Sequence, residues 1–197
     1  MFDGLPRGHY RAILADPPWQ FKTYNEKGRL KSPDWKPFKG ASAQHYNTLN
    51  IDDIASLPVD DLAADDCALF LWATWPLLKQ CLEVVDAWGF TYKTCAFNWT
   101  KADAFRFFAS PSMGLGYWTR ANTEPCLLAT RGKPKRLNAD VRQLIIEPRR
   151  EHSRKPDCVH SRIERLVAGP YLELFARAPR KGWDVWGNET AKFEAAE

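Results

Sequence analysis

Tyr10-Arg11-Ala12-Ile13-Leu14-Ala15-Asp16-Pro17-Pro18-Trp19 is the stretch on which the reading of this chain turns. Its first six residues are mostly apolar, and the run breaks at Asp16, because the two prolines that follow have no N–H with which to continue a sheet ladder. A strand ending on a carboxylate is predicted over 10–15. Downstream, Asn50 can cap a short helix over 51–57 that Pro58 closes, and 68–72 reads as a buried strand. Leu78, Cys81, Leu82, Val85 and Trp88 recur at helical spacing, Gly89 stops that helix, and 90–99 is strand-like, which makes a β-α-β unit. A strand resumes over 126–130. A second amphipathic helix runs from Pro156 through Val159, Ile163, Leu166 and Val167 to Gly169, followed by a buried strand over 171–176 and a short strand or turn over 183–189. This alternation predicts an α/β sheet with helices on both faces, whose ligands sit at the carboxyl ends of its strands. Asp16 stands at such an end.

Composition narrows the class. At 197 residues, 45% hydrophobic and 26% charged, the chain suits one well-buried domain and is short for two full-sized ones, so 1–197 is read as a single domain. An aromatic content of 13% and a net charge of +4 exclude wholesale disorder. No apolar run approaches the roughly 20 residues of a membrane span, and the first residues resemble no secretory signal, so a cytoplasmic protein is expected. The five cysteines contain no C-x-x-C pair and read as reduced, buried thiols; the four histidines lack metal-ligand spacing, and no metal is expected. The stretches 20–48 and 101–122 are too long for ordinary connections and are read as working loops beside the substrate. Between Arg131 and Lys155 basic residues outnumber acidic ones, a segment suited either to phosphate contact or to plain solvation.

The chemistry of the Asp-Pro-Pro-Trp corner suits an amino group. A carboxylate only accepts hydrogen bonds, and two successive rings hold the Pro17 carbonyl in a nearly fixed direction. An exocyclic base amine is a poor nucleophile because its lone pair is delocalised into the ring. Two acceptors pulling on its N–H bonds favour the pyramidal form that can attack, and Trp19 can stack on the base. The plainer reading is that Asp-Pro-Pro is only a turn after a strand.

The flanking segments extend the pattern. Ala15 to Trp19, Leu69-Phe70-Leu71-Trp72, Ala87-Trp88-Gly89-Phe90, Gly116-Tyr117-Trp118, Asn122-Thr123-Glu124, Lys155-Pro156-Asp157, Glu173-Leu174-Phe175-Ala176-Arg177 and Trp186-Gly187-Asn188-Glu189 occur in an order that resembles the MT-A70 family of adenine-N6 methyltransferases over nearly the whole chain. The resemblance implies a Rossmann-like fold, S-adenosylmethionine as methyl donor and adenine N6 as acceptor, with the catalytic motif preceding the cofactor motif. It casts Asp16 and the Pro17 carbonyl as acceptors for the target amine, with Pro18 and Trp19 shaping the base pocket. Lys155 resembles the lysine that pairs with the cofactor carboxylate, the plainer alternative being a solvated surface lysine. Glu173, Phe175 and Arg177 resemble the cofactor strand, with core packing the alternative for Phe175. Asn188 and Glu189 resemble the pair that binds the ribose hydroxyls. Glu124 resembles a residue near the acceptor base, with a strand-edge salt bridge as its alternative.

One departure stands out: 176–180 reads Ala-Arg-Ala-Pro-Arg, without the G-x-G that usually lets a methyltransferase backbone approach its cofactor. Dinucleotide and P-loop fingerprints are also missing, which argues against nicotinamide and nucleoside triphosphate enzymes. An active adenine-N6 methyltransferase is the expected function. A catalytically silent nucleic-acid-binding scaffold on the same fold and a cytosine-directed enzyme are the alternatives. DNA is favoured over RNA because the chain shows no CCCH fingers or long helical extensions, and target recognition falls to the loops, a partner subunit or a homodimer.

Overall fold

The computed structural model describes residues 2–20, 49–102, 118–149, 151 and 154–190. Among these, seven strands form one sheet: β1 (Tyr10–Ala15), β2 (Ala63–Trp72), β3 (Thr91–Ala102), β4 (Thr123–Arg131), β5 (Leu144–Pro148), β6 (Tyr171–Leu174) and β7 (Trp183–Trp186). Their spatial order is β5-β3-β4-β2-β1-β6-β7. Three helices pack on them: α1 (Ile51–Ala55), α2 (Leu78–Ala87) and α3 (Cys158–Leu166). This is the α/β, Rossmann-like arrangement that the sequence implied.

Alternation along the central strands builds the two-sided core. Ile13, Ala15, Leu69 and Leu71 turn to one face and meet Ile54 of α1 and Cys81, Val84 and Val85 of α2. Ala12, Leu14, Ala68 and Phe70 turn to the other and meet Val159 and Ile163 of α3. Strands buried on both faces read as continuous apolar runs, which is why 10–15 and 68–72 were legible from residue type alone. Asn50 caps α1 as expected, its side-chain oxygen accepting from the Asp53 N–H at 2.7 Å, although the helix ends at Ala55. Gly89 takes a φ of +76° just after α2, the left-handed stop that an L side chain disfavours.

Strand direction places the functional edge. β1 pairs in parallel with β2 and β6, β6 with β7, and β3 with β5. β4 runs antiparallel to both of its neighbours, β2 and β3. The predicted β-α-β unit of β2, α2 and β3 is therefore present, with β4 inserted between its two strands. Because β4 is reversed, its first residues lie at the same edge as the last residues of the other strands. Asp16, Trp72, Lys101, Glu124 and Glu173 are all brought to that edge.

Two expectations need correction. β5 lies inside the basic segment, where no strand was expected; Ile145 is buried while Leu144 and Ile146 are exposed, an edge-strand alternation too short to stand out among the arginines. The basic segment is also divided by strand direction. Arg131 ends β4 and pairs opposite Cys67, at the edge away from Asp16, whereas Arg149, Arg154 and Lys155 follow β5 and reach the edge that carries it. Only the second group can serve a ligand at Asp16. Ile163, fully buried on α3, anchors the helix that follows Lys155. Ile163→Ala is expected to cost about 3 kcal/mol in denaturant unfolding, and a loss well below 1 kcal/mol would contradict this packing role.

Candidate active site

A cleft opens at the carboxyl ends of β1 and β6, beside the start of α3. Asp16, Trp72, Lys155, His160, Glu173, Phe175 and Arg177 are among the residues that line it. Five of the predicted residues from the carboxylate corner, the lysine segment and the cofactor strand, namely Asp16, Lys155, Glu173, Phe175 and Arg177, thus converge on one cavity.

Its central contact is an ion pair. The Lys155 ammonium lies 2.8 and 2.7 Å from the two carboxylate oxygens of Asp16, with both side chains 19% exposed. Glu124 Oε2 stands 3.7 Å from the same ammonium, and Lys101 binds the other oxygen of Glu124. The face of Trp72 lies 5.5 Å from Lys155 Nζ, a cation–π contact. Lys155 is therefore no solvated surface lysine, and Glu124 is indeed a strand-edge salt-bridge partner, one that adjoins the Asp16 corner. Burial alone would lower the Lys155 pKa, but Asp16 and Glu124 outweigh it and hold it above 10.5. For Glu124, burial alone would raise the pKa, but Lys155 and Lys101 outweigh it and hold it below 4.5. The three ammonium donors of Lys155 face the two oxygens of Asp16 and Glu124, while the Asp16 carboxylate, with some four lone-pair sites, keeps room for further partners.

The prolines do form a turn, as the plainer reading had it, and the turn aims the corner. The Trp19 N–H donates to the Pro17 carbonyl at 2.8 Å, and the Leu49 N–H donates to Pro18 at 3.1 Å. The Pro17 carbonyl is thus held by a hydrogen bond as well as by the rings, and keeps one lone pair free of that bond. Trp19 corrects an expectation. It is 5% exposed, packs in the core on the α1 and α2 face, and donates its indole N–H to the Trp72 carbonyl at 2.9 Å. Its faces are covered, so it locks the turn to β2 and offers no stacking plane. Neither it nor Pro17 or Pro18 lines the cleft.

On the β6 side of the cleft, the strand stops at Leu174 because Phe175 adopts a φ of +62°. A bulky residue in the left-handed region costs roughly 1–3 kcal/mol. The missing G-x-G is explained here: Phe175 itself takes the backbone turn that a glycine would take, and its ring is held edge-on to Trp186 at 5.6 Å. The glycine needed for close approach lies across the sheet. A Cβ on Gly187 would sit 2.7 Å from the Ala176 carbonyl oxygen, so only glycine lets the end of β7 close over this turn. Arg177 reaches Glu189, Nε to Oε2 at 3.8 Å. Asn188 is exposed just beyond β7, and neither it nor Glu189 lines the cleft itself.

Three residues of this edge escaped the sequence reading of the site. Trp72 was noted only as part of a strand and of a segment that carries the resemblance, with no role of its own, and Lys101 only as the start of a loop. His160 was the most legible of the three, because it falls on the apolar stripe of α3 between Val159 and Ile163, where a titratable side chain is out of place. The loops over 20–48 and 101–122 fall largely outside the described residues, as does the Gly116-Tyr117 part of that motif.

The charge cluster predicts a pH response. Because its folded pKa is raised, Lys155 contributes stability in full below pH 10.5, and this is lost as pH rises through the raised value. Because its folded pKa is lowered, Glu124 contributes above pH 4.5, and this is lost as pH falls through the lowered value. Lys155→Met leaves Asp16 without its ammonium and is expected to cost about 3 kcal/mol of stability across that window. In melts followed against pH, the gap from the native chain should narrow outside the window; a gap independent of pH would contradict the assignment.

The comparisons with known proteins agree with this geometry. The family model for MT-A70 matches residues 10–189. A type II methyltransferase, M.MunI of Mycoplasma sp, is 37% identical over 199 residues, covering 96% of this chain and 81% of the relative. The N(6)-adenosine-methyltransferase MT-A70-like protein of Arabidopsis thaliana is 28% identical and the catalytic subunit METTL3 of Homo sapiens 27% identical, each over 186 residues and 92% of this chain. The chain spans only 24% and 28% of these two relatives' lengths. With the matched span running from the first residue of β1 to Glu189 beyond β7, the chain belongs to the MT-A70 family.

Proposed function

We propose that this methyltransferase, acting as a single domain, transfers a methyl group from S-adenosylmethionine to the exocyclic N6 amine of adenine in nucleic acid, with DNA as the favoured substrate. The observation that carries the reading is the position of Asp16: it directly follows β1, precedes Pro17 in the turn, and lines the cleft together with Lys155, Glu173 and Phe175. One carboxylate therefore faces both the base and the cofactor side.

The side chains in the cleft fit the proposed donor. Lys155 offers an ammonium to a carboxylate, Glu173 an acceptor to hydroxyl or amino hydrogens, and Phe175 a ring held in a conformation that the fold maintains at a cost. Arg177 lines the cleft and contacts Glu189, and the resemblance casts Glu189 and Asn188 as the partners of the ribose hydroxyls. S-adenosylmethionine brings a methyl group already activated on a sulfonium, so little acid–base help is needed from the protein.

The protein's work is positioning. Asp16 and the free lone pair of the Pro17 carbonyl accept the two N–H bonds of the amine and aim its lone pair toward the cleft, which makes a near-attack arrangement with reacting atoms roughly 3–3.5 Å apart. After transfer the nitrogen is cationic, and the Asp16 carboxylate stabilises that charge until a proton leaves. Lys155 keeps Asp16 in place while it does so. Asp16 is only 19% exposed, so an adenine stacked in a duplex cannot reach it; the base must be flipped out or lie in an open strand. Arg149, exposed just after β5 on the same edge, would meet a flanking phosphate, whereas Arg154 is engaged by Glu151 and Asp157 and would have to exchange them for one. The type II enzyme is the relative matched along most of its own length, and that favours DNA over RNA.

The test is methyl incorporation from radiolabelled cofactor into DNA and RNA, with mass spectrometry of the digested nucleosides. The native chain is expected to yield N6-methyladenine, and Asp16→Asn to lower kcat by roughly 10²–10³-fold. A methylated cytosine, an Asp16→Asn variant at native rate, or binding without incorporation under all conditions would overturn the reading. Affinity for DNA should fall steeply with salt, and salt-insensitive binding would remove the phosphate role of the arginines.

A further inference from the structure

We infer that His160 is a positioning residue that acts on cofactor binding through Glu173, an inference that rests on reading the cleft as the S-adenosylmethionine site. His160 lies on α3 and Glu173 on β6, and Nε2 of the imidazole is 2.8 Å from Oε2 of the carboxylate. The carboxylate accepts, so Nε2 carries the hydrogen of this contact. Nδ1 is buried and has no hydrogen-bond partner among the described residues. A buried nitrogen without a partner is a cost to the folded state, and an aliphatic residue on this stripe would avoid it. What the imidazole provides in return is the hydrogen bond from Nε2.

The ring is braced from behind. Trp183 of β7 meets it edge to face, with centroids 4.9 Å apart and planes at 85°. The Trp183 indole N–H donates to Glu164 Oε1 at 2.7 Å, and Arg180 Nε lies 3.8 Å from the same oxygen. A continuous set of contacts thus runs from Arg180 through Glu164, Trp183 and His160 to Glu173. It ends on a side chain that is 19% exposed and lines the cleft. With Oε2 tied to His160, the Glu173 carboxylate is restrained at the cleft wall and its other oxygen is available to an O–H or N–H of the cofactor. Without the imidazole the carboxylate is free to rotate, and that freedom must be lost again on binding.

Calorimetric titration of the full chain with S-adenosylhomocysteine, alongside steady-state kinetics and thermal melts, tests this. His160→Leu is expected to weaken binding of the probe roughly tenfold, the loss appearing in the KM for cofactor and not in kcat. His160→Gln, whose longer amide can place an N–H near the Nε2 position, should recover most of the affinity. His160→Asn, whose amide falls near Nδ1 and short of Glu173, should behave like His160→Leu even if the leucine variant folds poorly. Because His160 acts through Glu173, adding His160→Leu to Glu173→Gln should weaken binding no further. Native affinity in both His160→Leu and His160→Asn, additive losses in the double variant, or losses that only track melting temperature would overturn the inference. If the native chain itself fails to bind S-adenosylhomocysteine, it is the cofactor reading of the cleft that falls.

Discussion

The contact between Asp16 and Lys155 joins the two halves of this site. The residues are 139 positions apart, one ending the first strand and the other just ahead of the last helix, and both oxygens of the carboxylate are engaged by one ammonium. Such a pair, sheltered from water, adds little net stability over an apolar substitute, because desolvation offsets the attraction, yet removing one partner is costly. Its value lies in geometry. The pair ties the Asp-Pro-Pro-Trp turn to the segment leading into α3, and the covered indole of Trp19 secures the same turn to β2 from the other side. The Asp16 carboxylate is therefore fixed before any ligand arrives.

Strand direction does the rest. All of the described strands but β4 run the same way, so their carboxyl ends gather Asp16, Trp72, Lys101 and Glu173 along one edge. The reversed strand adds Glu124 at its start, where it lies within 3.7 Å of Lys155. Charge of both signs is thereby concentrated where sheet hydrogen bonding ends and side chains are free to meet a ligand. Strain is concentrated there too, since Phe175 turns through the left-handed region at the close of β6 and Gly187 leaves just enough space for it.

Much of the fold could be read from the order of residues because its central strands are buried on both faces and its helices carry apolar stripes. β1, α2, α3 and β6 follow from such patterns. β5 did not, because five residues with alternating exposure among arginines carry too weak a signal. The site was legible where local chemistry is unusual, as in a carboxylate followed by two prolines, and through the family resemblance at Lys155, Glu173 and Phe175. It was not legible where a role depends on what packs nearby. Trp19 looked like a stacking surface and is a buried lock; Lys101 looked like the start of a loop and pairs with Glu124. No local pattern could reveal that the basic segment after Arg131 divides between two edges, because that follows from the reversal of β4 and the return through β5.

The central claim is that the corner at the end of β1 and the cleft beside β6 form one site. A crystal structure of the chain soaked with S-adenosylhomocysteine tests it most directly. The account predicts the ligand between Phe175, Glu173 and Lys155, with its sulfur facing the Asp16 carboxylate. A ligand bound at the opposite edge of the sheet, or an Asp16 side chain turned away from it into the protein interior, would contradict the account.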